Sequence, residues 1–171
     1  MADPRDLELV GPYNGDPQIG HLATPITASA FTKTFINNLP AYRENVSPLI
    51  RGLEVGLAHG YFLAGPWVLF GPLRDYAATA NFGGLLSAIG LILVATGGMS
   101  IYGLVAFPKD GAQAPYLKDN PQAPESLKTA QGWSQFTGGF FLGAMGGAFV
   151  AYFLLENSKT LQDIIRGLVN S

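Results

Sequence analysis

Three apolar runs organise the chain: Leu53 to Leu73, Ala80 to Phe107 and Trp133 to Leu155. A helix rising about 1.5 Å per residue needs ~20 residues to cross ~30 Å of hydrocarbon, and each run approaches or exceeds that length. A soluble core helix would show charge on one face every few residues, yet Ala80 to Phe107 carries none. The pattern predicts an all-α integral membrane protein with three transmembrane helices.

Outside the runs the pattern changes. The opening segment contains Gly11-Pro12, Gly15-Asp16-Pro17 and Thr24-Pro25, whose turn and extended preferences argue against a regular domain. Within it, Phe31, Phe35, Ile36 and Leu39 recur at helical spacing, predicting a short interfacial helix over residues 28–39. The stretch from Pro108 to Gln131, with Pro115, Pro121 and Pro124, reads as an exposed connector without a core of its own. Near the end, Leu161, Ile164, Ile165 and Leu168 form an i, i+3, i+4, i+7 stripe, with Thr160 and Asp163 expected to cap its start. A helix this short is marginal alone, so the stripe should be covered by another surface or lie on the membrane. The resulting division is 1–47 as an extended N-terminal segment, 48–157 as the membrane domain and 158–171 as a short helical tail. No internal repeat suggests the inverted halves of a transporter.

Charge near the runs gives an orientation. Lys33, Arg43 and Arg51 precede the first run, and Lys109, Lys118 and Lys128 lie between the second and third. The opposite side has Arg74, Lys159 and Arg166. Cytoplasmic flanks retain Lys and Arg, so the N-terminus is placed in the cytoplasm and the C-terminus across the membrane.

Composition narrows the chemistry. The 171 residues are 48% hydrophobic and only 13% charged, with a net charge of -2. No basic field exists to neutralise a run of phosphates, which excludes nucleic acid as a partner. Without cysteine there is no disulfide, zinc-thiolate, iron–sulfur cluster or thiol nucleophile. The polar, acidic start (Asp3, Asp6, Glu8) lacks the pattern of a cleavable secretory signal, so insertion is expected to rely on the internal helices.

Two ionisable groups fall in the first run, Glu54 and His59. A carboxylate at a helix centre costs ~2.5–3.5 kcal/mol on insertion scales, so Glu54 needs a partner or a place near the interface. Arg51, three residues earlier, is one partner; a metal held elsewhere is another. His59, flanked by Ala58 and Gly60, either donates to a carbonyl or offers a nitrogen lone pair to a metal. A separation of five residues turns ~140° around a helix, so the two cannot share one small ion, but each could hold a large ring on its own side. Two glycine rows, Gly52, Gly56, Gly60 and Gly139, Gly143, Gly147, have the four-residue period of close helix packing. In the turn after the first run, Asp75 and the Pro72 carbonyl offer oxygen to a hard cation, short of the six to eight that calcium takes; an Asp75–Arg74 pair is the plainer reading. A second reading of the whole chain is a small transporter or channel component using Glu54 and His59 as an ion path.

Several stretches carry a family resemblance: Gly20-His21-Leu22-Ala23-Thr24-Pro25-Ile26, Lys33 through Arg43, Arg51 through Asp75, and Gly132-Trp133-Ser134-Gln135-Phe136 through Asn157. They closely resemble the photosystem I reaction centre subunit XI (PsaL) family of cyanobacterial type, over nearly the whole chain and in the family's motif order. Divergence concentrates at the extreme N-terminus, in the 108–131 connector and after Asn157. The resemblance implies a non-catalytic thylakoid subunit with its C-terminal helix on the lumenal side. It further implies antenna chlorophyll (chlorophyll a) and beta-carotene, and contact with photosystem I core subunits and neighbouring small membrane subunits. Association with other copies of itself into trimers or tetramers is also implied. By position, Glu54 and His59 match the family's axial ligands to chlorophyll magnesium. Asp75 and Pro72 match a cation, calcium, assigned near the first lumenal turn.

Overall fold

The structure is a computed structural model that describes residues 10–12, 15–18, 21–107 and 123–169. Expectations for residues 1–9, for Lys109, Lys118, Pro108, Pro115 and Pro121 of the connector, and for the Leu168 side chain lie outside them. The chain forms two compact units, Met1–Glu44 and Asn45–Ser171.

In the first unit, two two-residue strands, β1 (Gly11–Pro12) and β2 (Leu22–Ala23), pair antiparallel, Gly11 opposite Ala23. A hydroxyl box follows: Thr24 N–H donates to Thr27 Oγ1 at 2.8 Å and Thr27 N–H to Thr24 Oγ1 at 3.1 Å. Helix α1 (Ala30–Asn38) starts where the Ser29 hydroxyl accepts from Thr32 N–H, an N-cap contact. Its Phe31 and Phe35 are exposed.

The second unit is built from α2 (Pro48–Phe70), α3 (Ala80–Ala106), a 3-10 turn at Glu125–Lys128, α4 (Ala130–Glu156) and α5 (Ser158–Val169). Helix α2 begins five residues before the apolar run. Ser47 caps it and Pro48 takes the first helical position, where a missing N–H costs nothing. It ends at Phe70, so Gly71 to Leu73 belong to the turn. Helix α4 likewise starts earlier, at Ala130, because the Thr129 hydroxyl accepts from Gly132 N–H at 3.1 Å. The end of the connector is therefore ordered: Lys128 is buried, and its Nζ donates to Glu125 Oε1 at 2.7 Å. The expected Thr160 cap is corrected. Asn157 N–H donates to the Phe153 carbonyl and Leu161 N–H to the Asn157 carbonyl, so hydrogen bonding carries past Asn157 and Thr160 lies inside α5.

The packing of α2 on α4 is set by the two glycine rows. A Cβ added at Gly52, Gly56 or Gly60 would come closer than 3.0 Å to backbone atoms of Phe136, Phe140 or Ala144. Reciprocally, Gly139, Gly143 and Gly147 press on the backbone at Leu49, Leu53 and Leu57. Both rows advance together along the chain, so α2 and α4 run parallel. Helix α3 runs opposite: Gly84 near its start meets Val68 late in α2, and Gly103 near its end meets Trp133 at the start of α4. Leu85, Ala88 and Ile92 of α3 close on Phe140, Ala144 and Ala148 of α4 to make the core.

The interior is thus glycine and alanine, while large apolar side chains point out; Leu104 is 78% and Phe70 77% exposed. A water-soluble fold would invert this arrangement, whereas a hydrocarbon solvent asks only for close helix contact inside. Helices α3 and α4, 27 residues each, are long and apolar enough to cross a membrane. Helix α2, with 23 residues, spans ~34 Å but carries Arg51, Glu54 and His59.

Candidate functional site

The glycine seam that fixes α2 also fixes where its polar side chains point. Taking Gly52, Gly56 and Gly60 as the face on α4, Glu54 lies ~160° around the helix from it, and His59 ~60° to one side. Glu54 is half-buried and His59 exposed. They occupy separate faces, and no cluster of three or more His, Cys, Asp or Glu occurs among the described residues.

His59 is held in a defined state. Its Nδ1 lies 2.7 Å from the carbonyl oxygen of Val55, one turn earlier. A carbonyl has no proton to give, so Nδ1 is the donor, and in the neutral imidazole the lone pair must sit on Nε2. Among the sequence readings, the bland one (a donor to a carbonyl) and the sharp one (a metal ligand) are therefore both realised by the same ring, on different nitrogens. A second-sphere bond to a backbone carbonyl is also what orients a ligating histidine and raises its basicity. The ring stands edge-on to Phe140 of α4, centroids 6.0 Å apart, which limits its rotation. Exposure on the outer surface of the helix pair leaves room for a partner larger than an ion.

Arg51 lies one turn before Glu54, is 3% exposed, and donates through Nε to the Val46 carbonyl at 3.0 Å. The buried guanidinium places a positive charge at the start of α2. In the turn, Arg74 pairs with Asp75 at 3.5 Å and donates to the Gly71 carbonyl at 3.3 Å; Pro72 and Asp75 are exposed. Asp75 is thus engaged as the plainer sequence reading had it.

Two features had no counterpart in the sequence reading. The indole Nε1 of Trp133 donates across the helix pair to the Met99 carbonyl at 2.8 Å, a bond spanning 34 residues. Near it, the Thr137 hydroxyl is buried without a partner. Neither has a local signature, because a tryptophan or threonine in an apolar helix looks the same whatever its neighbour offers.

An inside-out helical unit with glycine-tight contacts and an outward-facing, tautomer-fixed histidine defines a membrane subunit of a larger assembly. The chain belongs to the photosystem I reaction centre subunit XI (PsaL) family, whose sequence model matches residues 9–160. It is 59% identical over 170 residues to photosystem I reaction center subunit XI of Cyanothece sp., covering 99% of this chain and 100% of that one. The protein of the same name from Thermosynechococcus vestitus is 60% identical, covering 95% and 98%. The one from Gracilaria tenuistipitata is 48% identical, covering 92% and 97%. Membership makes it a photosystem I subunit of the thylakoid membrane that associates with other photosystem I subunits.

Proposed function

We propose that this chain is a non-catalytic, pigment-holding and oligomer-forming subunit of photosystem I, crossing the membrane three times through α2, α3 and α4. The observation that carries the pigment reading is the His59–Val55 bond, which leaves Nε2 as the ring's lone-pair nitrogen on an exposed helix face. His59 offers that lone pair to the magnesium of one chlorophyll a, and Glu54, on another face, offers a carboxylate oxygen to a second. Beta-carotene would lie along the exposed apolar flanks. Bound chlorophyll supplies light absorption and excitation transfer; the protein supplies position, an apolar surface and exclusion of water. No substrate bond is broken by the chain, so it has no turnover of its own.

Parallel α2 and α4 with antiparallel α3 support three crossings, with Arg51 and Lys128 at one end of the bundle. That end is cytoplasmic by the positive-inside rule, which puts α5 in the lumen. The exposed Ile164 and Ile165 of α5 then form an apolar face suited to other copies of the subunit in a trimer or tetramer. A calcium ion at the first turn would draw on the Asp75 carboxylate and the Pro72 carbonyl, with Arg74 competing, and would need further oxygens from water or a neighbouring subunit. An ion path is disfavoured because Glu54 and His59 face apart.

The test is pigment content. His59→Leu should remove one chlorophyll per copy from the purified complex, measured by solvent extraction and absorbance. An unchanged count would reject the assignment.

A further inference from the structure

Between the C-terminal half of α3 and the N-terminal half of α4 lies a groove of about 610 Å3, within the ~300–1,000 Å3 range of small-molecule sites. Thr96, Ser100, Gly103, Trp133, Thr137 and Phe141 contribute to its walls. Two of the hydroxyls are satisfied within their own helix: Thr96 Oγ1 donates to the Ile92 carbonyl and Ser100 Oγ to the Thr96 carbonyl, both at 2.8 Å. Thr137 departs from that pattern. The residue is 6% exposed, yet its Oγ1 has no hydrogen-bond partner. A buried hydroxyl left unpaired is costly, and in a membrane no bulk water relieves it. Beside it, Gly138 has nothing within 4 Å of where a Cβ would stand, so the groove is open at that level.

We propose that this groove seats an acyl chain of a membrane glycerolipid, whose ester carbonyl accepts the Thr137 hydroxyl. Depth favours this occupant. A 27-residue helix is ~40 Å long, so α4 centred on ~30 Å of hydrocarbon extends ~5 Å beyond each side. Thr137 sits seven residues in from Ala130, hence ~10 Å along the helix and ~5 Å inside the apolar boundary, close to where a glycerolipid turns from ester to chain. Chemistry favours it too. The groove lining holds no His, Asp or Glu to ligate a ring magnesium, and a carotene hydrocarbon has no acceptor for the hydroxyl. A lone water would want two to four polar partners, and Thr96 and Ser100 already spend their protons on carbonyls.

The inference rests on α3 and α4 crossing the bilayer, and is independent of the Glu54 and His59 assignments. Its test uses intact photosystem complexes washed extensively in detergent. Esterified acyl chains are counted by transesterification and gas chromatography, and chlorophyll by extraction from the same sample. Thr137→Val, which keeps the shape and removes the hydroxyl, and Gly138→Leu, which fills the open level, should each lose two acyl chains per copy with chlorophyll unchanged. A full acyl count in Thr137→Val overturns the proposal, whether or not Gly138→Leu assembles. Loss of chlorophyll in place of acyl chains would assign the groove to a pigment and overturn it. So would release of a neighbouring protein subunit from Gly138→Leu at constant acyl content.

Discussion

Gly143 of α4 sits where its added Cβ would meet the Leu53 carbonyl and the Leu57 amide nitrogen closer than 3.0 Å. Both are backbone atoms of α2, which cannot rotate away as a side chain can. The glycine hydrogen that stands in that direction points at the Leu53 oxygen, making a weak Cα–H···O contact. Six such glycines line the seam, three on each helix, and at roughly 0.5 kcal/mol each they contribute about 3 kcal/mol. Gly143→Ala forces the helices apart, costing ~1–3 kcal/mol in overpacking and weakening the flanking contacts. The better helix propensity of alanine returns ~1 kcal/mol, for a net loss of about 2–4 kcal/mol. Gly146→Ala, three residues on with nothing within 4 Å of its Cβ, should be neutral or stabilising by up to ~1 kcal/mol. Denaturant titration of the purified complex, following release of this subunit, should show Gly143→Ala leaving well before wild type and Gly146→Ala no earlier. Equal shifts for the two variants, or a wild-type midpoint for Gly143→Ala, would refute the seam as the main tie between α2 and α4.

Other substitutions probe single contacts. Trp133→Phe removes the indole donor to Met99 and should cost ~1–2 kcal/mol in the same titration; no change would mean the bond is not formed in the complex. Thr129→Ala removes the α4 cap, costing ~1 kcal/mol, and should speed amide exchange over Ala130 to Trp133 while leaving the centre of α4 protected. Deleting residues 161–171 should convert oligomeric photosystem I to monomers in mild detergent without lowering chlorophyll per monomer, read by native sizing; an intact oligomer would place the contacts elsewhere.

The sequence reading came within a few residues of every long helix, because apolar length is a local property. It erred at starts and ends. Ser47-Pro48 and Thr129 are helix-start signals that a hydropathy boundary overlooks, since the first turn of a membrane helix is polar by position. Thr160 resembled a cap because Asp163 follows it at the capping-box spacing, but hydrogen bonding continues through Asn157 and leaves no free turn to cap. Lys128 was counted as a connector charge, and its burial follows from how the 3-10 turn folds onto α4, which no spacing records.

The amino-acid order by itself determined the membrane class, the family, the two glycine rows and the candidates Glu54 and His59. Each of these depends on residue type at short separation along one helix. Only the tertiary structure decided that the rows press on each other in parallel, which of the His59 nitrogens is occupied, and that Thr137 is left facing a groove. Those outcomes depend on which backbone atoms of a distant helix stand across the gap, a relation set by rotation and register that local pattern does not contain.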